Sequence, residues 1–271
     1  MARAERSFRT AAIILKRRDF GEADRLLTIL TPMHGKQDVV AKGARKLTSQ
    51  KMGHVELFTC ADMLIHTGRD LGVAAQAEMI MPFNALREDL TRGAYAAYCA
   101  ELVDRFTGDG EDDTNRLFNL TRDTLERIDQ ETDPRLAVRY FEVHLLDVSG
   151  FRPELQFCAA GREPLLPQDQ VFSYSEGGVI CPQHAPAYAG TTVPISMQTL
   201  KLLRILQRSH YNSIHETGFP NGLIDDVERL MNGYLTYLLE RRLQSVEFLR
   251  RLRREGIGIT SGMPSPNTKS Q

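Results

Sequence analysis

Residues 13–46 read IILKRRDFGEADRLLTILTPMHGKQDVVAKGARK, and this stretch decides the fold of the first part of the chain. It holds three short apolar runs separated by tight turns, and cationic residues flank the runs. Because short strands and tight turns are typical of small barrels, the stretch predicts a β-barrel. Cations at the strand ends indicate that this barrel holds a phosphate backbone.

Five segments have the composition of β-strands: residues 8–16, 24–31, 36–42, 57–66 and 71–80. In the last segment apolar and polar positions alternate, as in a half-buried strand. Residues 43–54 are poor in apolar side chains and form a long basic loop. Five short strands with one such loop predict an OB-type barrel over residues 1–81.

A helical period begins after Pro82 and predicts an α+β protein, with an α-helical domain after the five-stranded barrel. Asn84 is the expected cap of a helix that reaches Phe106, and further helices begin at Asp112 and Pro134. The last helix is expected to run unbroken from about Gly222 to Arg254. The barrel is predicted to take up residues 1–81, and the helical domain residues 82–150 and 196–255. Between the two helical parts, residues 151–195 are rich in Pro and Gly and are predicted to form a degenerate zinc-finger-like insert. Residues 256–271 are predicted to be a disordered tail.

Charge is unevenly distributed, although the 271 residues carry a formal net charge of only −1. Residues 1–51 hold twelve Lys and Arg against five acids, whereas residues 101–133 hold eleven acids against four bases. Such a dipolar molecule attracts a polyanion at one end. No apolar run approaches the ~20 residues that span a bilayer, and no signal peptide is seen, so we expect a cytoplasmic, nucleoid-associated protein without membrane contact.

No H-E-x-x-H, G-x-S-x-G or P-loop motif is present, which favours a binding protein over an enzyme. The candidate DNA contacts are the cations of the first domain: Lys16, Arg17, Arg18, Arg25, Lys36, Lys42, Arg45, Lys46 and Lys51. An ordinary solvated surface is the alternative reading. Aromatic residues are sparse here, so we expect contacts to the nucleic-acid backbone more than to bases.

Two partial knuckles suggest a metal site, Cys158-Ala-Ala-Gly161 and Cys181-Pro-Gln-His184. Cys158, Cys181 and His184 are three ligands, whereas a closed structural zinc site needs four. A fourth would have to come from elsewhere, such as His144, Glu163 or Asp169. From the missing ligand at Gly161 we expect zinc to be substoichiometric or absent, and no other cofactor is indicated.

Two features suggest protein partners. The small residues of the helix at 84–106 allow another helix to approach closely. The last helix carries Arg250, Arg251 and Arg254, which are candidates for partner binding or for a second polyanion contact. The alternative is that these cations only complement the helix C-terminus.

The chain resembles RecO, the bacterial recombination mediator family of DNA repair. The matching residues are Ile14-Leu15-Lys16 through Gly21-Glu22-Ala23-Asp24-Arg25, His34-Gly35-Lys36, Ala41-Lys42-Gly43-Ala44-Arg45, Gly150-Phe151-Arg152-Pro153-Glu154-Leu155 and Gly177-Gly178. The resemblance implies an OB domain, a helical domain and a zinc-finger-like insert. At Gly161 and His184 the chain departs from the four-cysteine form.

The resemblance further implies binding of single- and double-stranded DNA and annealing of complementary strands. It implies that the protein works with RecR, and often RecF, to load RecA on DNA coated with single-strand binding protein. We expect the acidic tail of single-strand binding protein to bind the Arg-rich last helix. Two alternatives stay open: another OB-fold nucleic-acid-binding protein, possibly RNA-associated, and an enzyme with a nonstandard site.

Overall fold

The computed structural model describes residues 7–46, 49, 51–69, 71–108, 113–240 and 243–256, without the side chain of Met52. The helix start expected at Asp112 and nearly all of the tail expected at 256–271 lie outside these residues.

The first part of the chain is a closed five-stranded barrel, as predicted. Its strands are β1 (Ser7–Phe20), β2 (Asp24–Thr31), β3 (Gly35–Ala41), β4 (Cys60–His66) and β5 (Gly72–Met81). They join in the order β1-β2-β3-β5-β4, with only the β3–β5 pair parallel. The predicted end of the first strand at residue 16 is wrong: Arg17 and Arg18 stay paired with Leu27 and Leu26, and β1 continues to Phe20.

The apolar run at 13–15 is continuous because both faces of β1 are buried. Ile14 packs inside the barrel with Leu27 and Ile29. Ile13 and Leu15 belong instead to the larger core that the helices share. The barrel therefore rests on the helical part through an apolar contact, and one of its faces is closed to a ligand.

In the described part of the chain, eight α-helices follow the barrel: α1 (Ala85–Glu88), α2 (Leu90–Phe106), α3 (Thr114–Gln130), α4 (Arg135–Val148), α5 (Met197–Arg208), α6 (Tyr211–Thr217), α7 (Asn221–Leu239) and α8 (Gln244–Arg254). The expected single helix at 84–106 is wrong, because Asp89 is extended and its side chain caps α2 by accepting the N–H groups of Thr91 and Arg92. Asn84 makes no cap bond.

The unbroken last helix is also wrong. Glu240 has a left-handed backbone (φ 51°) that ends α7. Leu243 turns into the core, at 3% exposure, and α8 begins after it. The Glu101 carboxylate accepts the N–H groups of Gln244 (3.2 Å) and Ser245 (3.0 Å), so it caps α8 from a neighbouring helix.

A buried polar network holds α2, α4 and α7 together. Arg139 and Glu142, both on α4, form an ion pair at 3.0 Å with side chains 2% and 0% exposed. Tyr98 of α2 donates a hydrogen bond to Glu142, and Arg139 also faces Glu228 of α7 at 3.7 Å. Burial raises the pKa of Glu142 to about 7, against the opposing effects of Arg139 and Tyr98.

The insert carries an antiparallel sheet of β6 (Gln170–Ser173), β7 (Gly178–Ile180) and β8 (Thr192–Ile195), with β6 in the centre. Phe172 and Val179 join the helical core, and Tyr234 of α7 packs edge-on against Phe172. The insert is therefore anchored to the helices by apolar contacts. Among the described residues, no helix is both long and apolar enough for a membrane-spanning segment.

Candidate nucleic-acid interface and metal centre

At one end of the barrel, hydrogen bonds connect the β1–β2 hairpin to the loop that follows β3. Gly43 donates its N–H to Asp24 Oδ1 (2.7 Å), and Arg45 donates its N–H to Ala23 O (2.9 Å). The Arg45 guanidinium reaches the carbonyls of Gly21 and Glu22 and pairs with Asp19 at 3.3 Å. Gly43 adopts φ +67°, which lets its N–H face the carboxylate. We call this surface the basic tip and define it by Arg18, Phe20, Lys42, Arg45 and Lys46.

Three cations of the basic tip remain available to a ligand. Arg18, Lys42 and Lys46 are exposed. Within the described part of the chain, the side chains of these three residues form no hydrogen bond or ion pair, unlike the neighbouring Arg45, which pairs with Asp19. Phe20 ends the same strand as Arg18 and is 44% exposed. Such cations can bind phosphates, and an exposed aromatic ring can stack on a base.

Lys16 and Lys36 lie elsewhere, between the barrel and α2. Lys16 Nζ pairs with Asp104 Oδ2 at 2.5 Å. Lys36 Nζ donates to the carbonyls of Asp104 and Thr107, both at 2.7 Å, and its side chain is only 17% exposed. Burial raises the pKa of Asp104, but the two lysines outweigh it and the net pKa is lowered. These lysines tether the barrel to the helices, and Lys36 is too enclosed to serve as a phosphate contact.

The other candidates are engaged within the barrel. Arg17 and Arg25 share the carboxylate of Glu56, with Arg25 at 3.1 Å. Lys51 donates to Ala74 O at 3.0 Å, and burial lowers its pKa, with Asp24 acting in the opposite direction. The structure thus divides the nine candidate cations into a free group at the tip and a group with internal partners.

A cleft of about 1570 Å³ lies between the barrel and helices α2 and α8, and Arg18 is one of the residues that line it. Five Lys or Arg line it, together with the three acids Asp38, Glu101 and Asp104. Because acids lie among the cations, the cleft is not a uniform cationic path.

The Arg residues of α8 also differ in availability. Arg250 and Arg254 are exposed. Arg251 pairs with Glu255 at 2.8 Å, and Arg253 is held by Glu228 at 2.8 Å. The small residues of α2, expected to receive a partner, are largely covered inside the chain: Ala94, Ala96 and Ala100 are buried, and α8 packs on this helix.

The metal-site candidates do meet in the insert. Cys158 Sγ, Cys181 Sγ, His184 Nδ1 and a Glu163 carboxylate oxygen all lie within 4.8 Å of one another. Of the three side chains named as possible fourth donors, Glu163 is the one that meets the two knuckles. His144 and Asp169 are engaged elsewhere: His144 Nε2 lies 3.0 Å from Leu206 O, and Asp169 accepts the N–H of Met197 at 2.8 Å.

The donor set has the chemistry of a zinc site. Both cysteines are buried, while the Glu163 and His184 side chains are each 38% exposed. Burial raises the pKa of the Cys158 thiol. The backbone N–H groups of Cys181 and Gly161, each 3.4 Å from its sulfur, have the opposite and larger effect, so the net pKa is lowered. If zinc is bound, these four side chains would hold it and it would act as a structural ion.

Sequence reasoning missed the acids that decide which cations are free. Asp104 and Glu56 lie 68 and 31 residues from Lys36 and Arg25, and no local pattern marks such partners. Glu163 was one of three possible donors, and its position two residues after Gly161 carried no further signal.

Comparison with known proteins is consistent with this architecture. Residues 4–83 match the family model "Recombination protein O N terminal", and residues 87–247 match "Recombination protein O C terminal". A DNA repair protein RecO from Roseiflexus sp. is 41% identical over 245 residues, covering 90% of this chain and 86% of the relative. One from Dehalococcoides mccartyi is 33% identical over 250 residues, covering 92% and 98%.

Both family models match in order along the chain, and together they cover the barrel, the helices and the insert. This chain belongs to the recombination protein O (RecO) family of DNA repair proteins.

Proposed function

We propose that this protein is a recombination mediator of the RecF pathway. In this proposal it binds single- and double-stranded DNA, anneals complementary strands and helps to load RecA on DNA coated with single-strand binding protein. Family membership supports the proposal. It acts by binding rather than by turnover, in the cytoplasm at the nucleoid, with RecR and RecF as partners.

The observation that carries the proposal is the basic tip. Arg18, Lys42 and Lys46 have no internal side-chain partner among the described residues, unlike the lysines that face Asp104. Cations without internal partners can neutralise phosphates without first breaking an ion pair. The loop that carries Lys42 and Lys46 is fixed to the hairpin by backbone bonds, so the cations are displayed at one place.

Annealing requires two polyanions to approach each other. Cations at the basic tip lower this repulsion, and contacts to phosphates and to the face of a base leave the base edges of both strands free to pair. The net charge of −1 leaves the rest of the surface without a strong affinity for DNA, which helps the release of the annealed duplex.

The first test replaces the free cations. Each phosphate contact on a single strand contributes ~0.7 to the slope of log K against log salt, so Lys42→Ala with Lys46→Ala should flatten that slope by about 1.4. Affinity should fall alike for all sequences, and annealing of strands coated with single-strand binding protein should slow. Fluorescence anisotropy at several salt concentrations and a strand-annealing assay measure the two effects.

The matched control is Lys201→Ala with Arg208→Ala, two exposed cations on α5. It should keep the salt slope and the annealing rate of the parent protein. If the tip variant stays folded and keeps both properties, the basic tip is not the DNA site. Equal affinity for RNA, with no effect on RecA loading, would favour an RNA-associated function instead.

A further inference from the structure

The insert contains one group of side chains that the proposed DNA binding does not use. Cys181 Sγ lies 2.9 Å from Glu163 Oε1 and 3.2 Å from His184 Nδ1. His184 Nδ1 lies 3.0 Å from Glu163 Oε1 and 3.7 Å from Cys158 Sγ. Ligands placed tetrahedrally around zinc, with Zn–N and Zn–O of ~2.0–2.1 Å and Zn–S of ~2.3 Å, are separated by about 3.3–3.8 Å. The four donors are therefore near the spacing that one zinc ion requires.

Gly161 explains why the fourth donor is a carboxylate. It stands three residues after Cys158, where a complete C-x-x-C knuckle has its second cysteine. A Cβ atom at this position would lie 2.1 Å from Glu163 Oε2 and 2.3 Å from His184 Cε1. The volume of the missing side chain is thus filled by Glu163 and His184, and the glycine is required for both to reach the cysteines.

The loop geometry holds Cys158 as a ligand as well. Gly161 and Cys181 donate their N–H groups to Cys158 Sγ, which orients the sulfur toward the other donors. Cys158 N–H in turn donates to Glu163 O at 2.8 Å, so the backbone brings residue 163 back beside the knuckle. The backbone hydrogen bond places Glu163 next to Cys158, so the position of the carboxylate depends on the fold of this loop as well as on the side-chain rotamer of Glu163.

We propose that Glu163 is the fourth ligand of a structural zinc ion in this chain, in place of the knuckle cysteine that Gly161 lacks. The ion is held by Cys158, Glu163, Cys181 and His184. This proposal does not depend on the function proposed for the basic tip. It replaces the expectation from spacing that zinc is substoichiometric or absent.

The test measures metal directly. The purified full-length protein should contain one zinc per chain by elemental analysis. Cobalt substitution should give the visible bands of a tetrahedral site and a thiolate-to-cobalt charge-transfer band. Glu163→Gln keeps the size of the side chain but removes its charge, and it should weaken zinc binding at least about 10-fold in competition with a chelator. Glu176→Gln, an exposed position of the same insert, is the matched control and should bind zinc like the parent.

A second variant separates a lost ligand from a damaged fold. Glu163→Ala should lose tight zinc binding, whereas Glu163→His, which supplies a nitrogen donor at the same position and leaves Gly161 in place, should keep zinc and the visible bands of a tetrahedral cobalt site. The proposal is overturned if the parent protein holds no zinc. It is equally overturned if Glu163→Gln and Glu163→Ala bind zinc as tightly as Glu176→Gln, because the fourth ligand is then water or another residue.

Discussion

At the residue scale, Phe20 is the aromatic side chain at the basic tip, and its 44% exposure leaves the ring free to stack. Stacking of one base on an aromatic ring contributes ~1–3 kcal/mol, so Phe20→Ala should weaken single-strand binding by between about 5-fold and about 150-fold. Duplex binding should change little, because paired bases do not stack on the ring. Phe157→Ala is the control, since that ring is 46% exposed in the insert. Equal losses for single-stranded and duplex DNA would show that Phe20 supports the tip rather than stacks.

At the scale of elements, the contacts between helices contain a pH-sensitive group, Glu142 of α4. Its pKa of about 7 in the folded protein exceeds the ordinary value of 4.5, so the folded state binds more protons between these pH values. The contribution of Glu142 to stability is therefore full below pH 4.5 and is lost as the pH rises through 7. Glu142→Gln should remove this dependence, and urea unfolding at pH 5 and pH 8 measures it. The stability of the variant relative to the parent should rise with pH, by at most about 1.4 kcal/mol per pH unit. The control Glu176→Gln should show the same dependence of stability on pH as the parent protein. If the stability of Glu142→Gln also changes with pH as in the parent, the group that takes up the proton is not Glu142.

At the scale of the whole molecule, exposed cations lie both at the basic tip and on α8. We expect the acidic tail of single-strand binding protein on α8, where Arg250 and Arg254 are exposed while Leu249 and Leu252 fix the helix in the core. Exposed ion pairs contribute ~0.2–1 kcal/mol each, so Arg250→Glu with Arg254→Glu should weaken binding of a labelled tail peptide about 2- to 30-fold. DNA affinity at the tip should persist. Lys201→Glu with Arg208→Glu on α5 controls for net charge. An unchanged peptide affinity in the α8 variant would place the tail on another surface.

Much of the fold followed from local pattern. Alternation and turns predicted the five strands, and helical spacing predicted most of the helices, because periodicity reports which face of an element is buried. The two broken helices were missed since their breaks depend on side chains: Asp89 caps α2, and Glu101 caps α8 from 143 residues away in the chain.

The kinds of element, the uneven charge and three metal-ligand residues could be recognised from the sequence alone, because each of these features depends on residues that are close together along the chain. Which cations are free, and which acids pair with the others, depends on how the chain folds. Asp104 meets Lys36 across 68 residues, and Glu163 meets Cys181 across 18. The physical reason is that a charge or a ligand acts over a few ångströms in space, and the folded chain alone fixes which residues come that close.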